Sequence, residues 1–321
     1  MKRVLVTGGC GFIGSHMAEL LYQNGFEVKV IDNLSTGKIA NLENRGISFH
    51  YGDIVSEELD KVFAEFKPDY VVHQAAQVSV AHSVTNFHHD ANVNIQGTIN
   101  IINACKKHGA EKIIFASSAA VYGNTNVTPI TLAHPTSPAS PYGLSKFTSE
   151  EYLKLAKQLY DIDYVILRYS NVYGPRQNSQ GEGGVISIFF DQFITNKQPI
   201  IYGSGRQTRD FIYVEDVSQA CLRAIQYEGC GTEGCGTFNI SNNSSISINE
   251  LFFTMKSISG SHLTPVYHSV REGDIADSRL CNKESIKLLK WSPAFTLEKG
   301  LAKTYDYYHE TLAQQFAKTM E

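Results

Sequence analysis

The chain has no block of Lys and Arg. Its 28 basic residues are scattered among 32 acidic ones, a net charge of −4, and no stripe offers itself to a polyanion, so nucleic acid is not an expected partner. No apolar run reaches membrane-spanning length, and Met1 leads directly into strand-like sequence without a secretory leader core. The expectation is therefore a cytoplasmic protein with no membrane partner. The six cysteines are too scattered for a secreted disulfide framework. Cys230 and Cys235 bracket a glycine-rich loop and His88 adjoins His89, but neither pair has further ligands at metal spacing, so no metal is expected. Repeats and low-complexity tracts are missing too. What remains is 42% apolar and 19% charged, the balance of a folded globule that can bury one large core or two lobes.

What is there begins with residues 2–32. Residues 4–6 are a short apolar, β-branched run of the kind a buried parallel strand needs, and Ile13, Met17, Leu20 and Leu21 carry a helical stripe. Between them fall Gly8, Gly11 and Gly14. The first permits a tight turn, the second lets backbone approach a pyrophosphate, and the third lets helix pack closely on strand while helix N–H groups face the phosphates. A second strand, 28–31, ends in Asp32, whose carboxylate can accept from both hydroxyls of an adenosine ribose and would repel a 2′-phosphate. The unit predicts a dinucleotide site that prefers NAD to NADP.

Short apolar or mixed runs at 25–31, 47–51, 70–73, 112–117 and 163–169 alternate with helical patterns at 12–24, 56–66, 90–108 and 142–160. The fold class expected is α/β: a Rossmann-type doubly wound parallel sheet with a smaller, partly interleaved C-terminal substrate lobe. We place the NAD-binding domain at 1–170 and a mainly substrate-binding lobe at 171–321, with segments around 212–228 and 237–240 returning to the first domain. A helix near 249–259 and a last one around 297–313 complete the second lobe.

In such a sheet ligands lie beyond the carboxyl ends of the strands. After 47–51 come Asp53, which can accept from an adenine amino group, and Ile54, which can pack on the ring; Asp53 can equally cap the helix beginning near Ser56. Ala75 and Ala76 leave room for a bulky cofactor, whereas His73 reads as a structural, hydrogen-bonded histidine. Asn92 is unusual inside a helix and is expected to anchor backbone around the cofactor or active site. Ser117 and Ser118 follow the strand KIIFA. Tyr142 and Lys146 in PYGLSK lie four apart on one helix face, behind a Pro141 suited to a first turn. A phenol is a poor base at neutral pH, but an adjacent ammonium and an oxidised nicotinamide favour the phenolate. Tyr142 can then take a proton from a substrate hydroxyl as hydride leaves the same carbon, with Ser118 holding the oxygen.

These stretches together, TGGCGFIGSH (7–16), DNLSTG (32–37), GDI (52–54), HQAAQ (73–77), SSAAVYG (117–123), PYGLSK (141–146), RYSNVYGPRQ (168–177), GSGRQTRDFIYVEDV (203–217) and REGD (271–274), resemble the extended short-chain dehydrogenase/reductases of the NAD-dependent epimerase/dehydratase family. Within it they are most similar to the UDP-glucose 4-epimerases. The resemblance implies Ser118, Tyr142 and Lys146 as catalytic residues. It implies that NAD is lined by Gly8, Gly11, Phe12, Ile13, Gly14, Asp32, Asn33, Asp53, Ile54, Ala75, Ala76, Asn92, Ser117, Tyr142, Lys146 and Tyr169. Asn171, Val185, Arg209, Arg271 and Asp274 would hold the uridine diphosphate of a UDP-sugar, with Gln77 near the sugar and Ser278 leaving room for a 2-N-acetyl group. It further implies a homodimer formed through the helices at 90–108 and 142–160.

Relatives that dehydrate the sugar typically carry an Asp-Glu pair directly after the catalytic hydroxyl; here Ala119 and Ala120 stand there, and a methyl group moves no proton. The expected reaction is inversion at C4 of a UDP-hexose through a 4-keto intermediate. UDP-glucuronate 4-epimerase, a nucleotide-sugar dehydrogenase or ketosugar reductase, and a non-enzymatic NAD-binding scaffold are the competing readings.

Overall fold

The computed structural model describes residues 1–319 except 43, 45, 126, 180–183, 230–233 and 271–274, with backbone alone for 312–319. Arg271, Asp274 and Cys230 therefore lie outside the described residues. A seven-stranded parallel sheet forms the centre of the molecule. Its strands are β1 (Arg3–Thr7), β2 (Glu27–Asp32), β3 (Ser48–Tyr51), β4 (Tyr70–His73), β5 (Lys112–Ser118), β6 (Asp163–Tyr169) and the strand Gly236–Ile240. From one edge the order is Gly236–Ile240, β6, β5, β4, β1, β2, β3. The winding reverses between β1 and β4, which opens a crevice at their carboxyl ends. The fold class read from the sequence is the one observed.

Alternation along each strand builds two cores. Val4 and Val6 pack with Met17 and Leu21 of α1 (Phe12–Gln23) on one face. Leu5 packs on the other face with Phe63 of α2 (Glu58–Phe66) and Ile101 of α5 (Gly97–His108). Each of these side chains is at most 1% exposed, worth roughly 1.5–3 kcal/mol apiece.

The helix expected over 90–108 is observed, beginning at Phe87 and widened by one π-helical turn. It follows α3 (Val80–Thr85) and runs from α4 (Phe87–Ala91) through the π-helical turn, Asn92–Gln96, into α5. Ser79 and Asn86 cap α3 and α4, each accepting a backbone N–H with its side chain, from His82 and His89 respectively. α6 (Pro141–Tyr160) follows β5.

Beyond β6 a separate aromatic core joins Phe189, Phe190 and Phe193 of α7 (Val185–Ile194) to Leu251 and Phe252 of α9 (Ile248–Ser259) and to Leu301. The chain also comes back to the sheet. Val217, Ala220, Cys221 and Ala224 of α8 (Val214–Ile225) share the core of Val4 and Met17. So do Leu289 and Trp291, which follow α10 (Lys283–Leu288); the Trp291 indole N–H donates to the Asp216 carbonyl at 2.9 Å. The last helix, α11 (Leu297–Thr319), runs several residues beyond the sequence expectation.

Candidate active site

The glycine turn is packed inside and open outside. Gly8 has φ +67°, and a Cβ there would lie 2.7 Å from the Ala75 nitrogen. A Cβ on Gly14 would lie 2.2 Å from the Gly8 carbonyl oxygen, so α1 can close on the turn only with glycine. At Gly11 a Cβ would meet nothing but that same oxygen, at 3.2 Å. Gly11 caps α1 without a side-chain bond, which leaves the first helical N–H groups facing the crevice. This cradle fits a pyrophosphate.

At the end of β2, Asp32 is only 7% exposed. One oxygen accepts from the Cys10 N–H at 2.9 Å and the other from the Leu34 N–H at 2.8 Å. The carboxylate is thereby fixed, with lone pairs left for a ribose. Asp53 accepts from the Val55 N–H at 3.0 Å and from the Asn33 amide at 2.8 Å, so it turns the chain ahead of α2. It does not cap that helix, whose N-cap is Glu57.

A continuous cleft of about 1630 Å³ runs from this turn into the C-terminal lobe, larger than the ~300–1,000 Å³ of a typical single-ligand pocket. Gly8, Gly11, Phe12, Ile13 and Gly14 line it, as do Asp32, Asn33, Asp53 and Ile54. Ala75, Ala76, Ser117, Ser118 and Tyr169 stand at the strand ends, and Tyr142 and Lys146 face it from α6. Asn171, Val185 and Arg209 line the far part.

The central residues are held by local structure. Ser118 ends β5 beside Tyr169 and caps the 3-10 turn Ala119–Tyr122, its hydroxyl accepting from the Ala120 N–H at 3.2 Å. α6 starts directly on that turn: a Cβ at Gly143 would lie 2.5 Å from the Ala120 carbonyl oxygen. Ser140 caps α6 through the Gly143 N–H, with Pro141 in the first turn. The close approach at Gly143 thus sets Tyr142 of α6 beside the turn that carries Ser118.

One helical turn on, Lys146 is 3% exposed, with Nζ 4.9 Å from the centre of the Phe115 ring. Burial pushes its ammonium down to about 8, while the Asp90 and Glu150 carboxylates pull the other way. His73 shares hydrogen bonds with the Thr7 and Thr98 hydroxyls at 2.9 and 3.1 Å. Burial and the nearby Lys146 charge push it down to about 3, so it is a neutral structural group. The Ser117 hydroxyl donates to Glu150 at 2.5 Å; Glu150 in turn binds Arg168 through two N–H groups at 2.9 and 2.5 Å, all buried.

Three expected residues stand elsewhere. Asn92 is exposed at the start of the π-helical turn and does not line the cleft. The anchoring role expected of it belongs to Asn94, 2% exposed, which exchanges two bonds with the Gln77 backbone and donates to Ser145 and Asp90. Asn92 and Asn94, two residues apart, face opposite sides of the turn, and it is Asn94 that faces inward. Gln77 is also off the cleft wall, its amide spent on the Asp90 carboxylate and the Ser79 carbonyl. Ser278 is not among the described lining residues; its N–H donates to the Thr208 carbonyl beside Arg209.

Arg209 sits in a two-residue strand, Thr208–Arg209, paired with Ile246–Ser247. Next to it, buried Asp210 accepts from the Asn242 and Leu280 N–H groups at 3.1 Å each, and burial pushes its carboxyl up to about 7. Sequence reasoning overlooked Tyr202 and Gln207 on the cleft wall, and Tyr307 and Tyr308 contributed by α11; only the aromatic cluster YDYYH (305–309) hinted at the last two. Among the described residues no group of three metal ligands occurs, and no helix is long and apolar enough to cross a membrane.

A glycine turn under an acid-tipped strand, opening on a serine beside a tyrosine–lysine helix face, defines an enzyme of the short-chain dehydrogenase/reductase class. More narrowly, the chain belongs to the NAD dependent epimerase/dehydratase family, whose pattern matches residues 4–241. A UDP-glucose 4-epimerase of Mycolicibacterium smegmatis is 38% identical over 95% of this chain and 98% of its own. The crystal structure of a Thermotoga maritima UDP-glucose 4-epimerase with UDP-glucose superposes with TM-score 0.92, at 40% identity over 97% of this chain and 99% of that one. A Thermus thermophilus UDP-glucose 4-epimerase in complex with NAD gives TM-score 0.88, at 36% identity over 95% and 98% of the two chains.

Proposed function

We propose that this protein inverts C4 of a UDP-hexose, interconverting UDP-glucose and UDP-galactose with NAD held in the cleft. The observation that carries the reading is the seating of Tyr142 against the Ser118 turn, one helical turn from the buried Lys146. The ligands of the Thermotoga and Thermus relatives support it.

The bound dinucleotide supplies a hydride acceptor that becomes the donor on the return. Lys146, charged below about pH 8, stabilises the phenolate of Tyr142. Tyr142 removes the C4 hydroxyl proton and later returns it, while Ser118 donates a hydrogen bond to the oxygen as it becomes a carbonyl. Arg209 offers a fixed donor to the diphosphate. Ala119 and Ala120 add no second acid or base beside Ser118, which favours inversion over elimination. Inversion would require the ketosugar to present its other face to the cofactor, within a cleft of about 1630 Å³ that would hold both ligands.

Likeness to a Methanobrevibacter ruminantium UDP-N-acetylglucosamine 4-epimerase, 34% identical over 97% of this chain, supports a second reading, acceptance of UDP-N-acetylhexosamines. By the family resemblance, glucuronate 4-epimerases often replace the asparagine of RYSNVYGP, so Asn171 weighs against a uronic acid substrate. A homodimer is supported by an exposed apolar face: Leu144, Tyr152, Leu155 and Leu159 of α6, next to Val84 and Phe87, are each 40–62% exposed. The test is incubation with UDP-glucose and no added NAD. UDP-galactose should form to an equilibrium mixture; consumption of free NAD without either epimer would favour a dehydrogenase.

A further inference from the structure

Immediately after β6 the chain crosses to α1 and is fastened there. The His16 ring bonds the Pro175 carbonyl at 3.1 Å. Arg176 donates to the Ser15 hydroxyl at 3.1 Å and to Glu19 at 3.0 Å, forming an ion pair whose side chains are only 6% and 15% exposed. To make this reach Arg176 takes φ +68°, a backbone region L side chains seldom adopt. The next carbonyl, that of Gln177, accepts from the Tyr308 hydroxyl of α11. Segment 175–177 is therefore tied to α1 on one side and to the last helix on the other. Arg176 and Gln177 line the same cleft as Gly11, Phe12 and Ile13.

We propose that Arg176 is a positioning residue that retains the dinucleotide: by gripping Ser15 and Glu19 it bars the cleft above the α1 N-terminus. The inference rests on the NAD reading given above. Arg176 reaches the cofactor through α1 and the covering chain, and it takes no part in the proton or hydride steps. An enzyme whose redox cycle closes on itself benefits from such a bar, since loss of reduced cofactor in mid-cycle would strand a ketosugar.

The test compares Glu19→Gln, Arg176→Lys and the exchanged pair Glu19→Arg/Arg176→Glu with the wild-type protein. NAD content after extensive dialysis, NAD release rate, and turnover with and without added NAD are measured at a temperature where each protein is folded. Glu19→Gln should release NAD at least about tenfold faster and need added NAD for full turnover. At saturating NAD its kcat, and its KM for the UDP-sugar, should match wild type. Arg176→Lys keeps the charge but not the fork, so it should fall between; the exchanged pair should recover retention. Release rates equal to wild type in Glu19→Gln and Arg176→Lys would overturn the proposal. So would a lowered melting temperature with unchanged release, which is all a purely structural pair would produce. A wild-type protein that neither holds nor takes up NAD would instead overturn the cofactor reading.

Discussion

Replacing Asp90 with asparagine isolates the electrostatics of the catalytic lysine. One Asp90 oxygen accepts from both the Gln77 amide at 2.8 Å and the Asn94 amide at 3.2 Å, and a carbonyl oxygen can keep both bonds. What is lost is negative charge. Lys146 is held near 8 by burial, opposed first by Asp90 and then by Glu150. Taking the Asp90 contribution as about one pKa unit, or ~1.4 kcal/mol, Lys146 moves to about 7. At pH 7.5 its protonated fraction then falls from about three-quarters to about one-quarter. If the charged amine is what makes Tyr142 a usable base, turnover at that pH should drop about threefold. The alkaline limb of the pH–rate profile should move about one unit lower, with little change near pH 6. The assay is C4 inversion followed across pH 5.5–9.5, with melting temperature as a check on folding. An alkaline limb that stays where it is in wild type would refute the role given to Lys146.

Other perturbations test other parts of the structure. Gly14→Ala drives a methyl to 2.2 Å from the Gly8 carbonyl; it should cost about 1–3 kcal/mol in urea unfolding and strip the protein of NAD on dialysis. Leu159→Glu places a charge on an α6 side chain that is 60% exposed, and light scattering should report monomers without a change in monomer fold by circular dichroism. Ser278→Tyr should suppress turnover of UDP-N-acetylglucosamine relative to UDP-glucose; equal losses on both would remove Ser278 from specificity.

The sheet was readable in the sequence because its information is local. Runs such as 113–116 are continuous and apolar, and Gly8, Gly11 and Gly14 each answer a backbone requirement within one turn. Helix positions farther from a regular period were harder. Asn92 stood out as an asparagine inside a helix, but its neighbour Asn94 is the one that faces inward. Gln77 adjoins Ala75 and Ala76, yet Asp90 and Asn94 claim it for packing. Long-range returns such as Trp291 under α8, or Tyr308 over Gln177, leave no periodic trace because their partners are over a hundred residues away or in another element. Arg176 stood inside a recognised motif, but its partners Ser15 and Glu19 lie on α1, far away along the chain.

The most direct measurement follows the hydrogen on the reacting carbon. UDP-glucose carrying deuterium at C4 is incubated with the protein as purified, with no NAD added, and the UDP-galactose formed is examined by mass spectrometry and NMR. Transfer to the held nicotinamide and back through a ketone that turns in the cleft predicts galactose with deuterium retained at C4. Washout of the label into solvent, or product that appears only with free NAD, would contradict it.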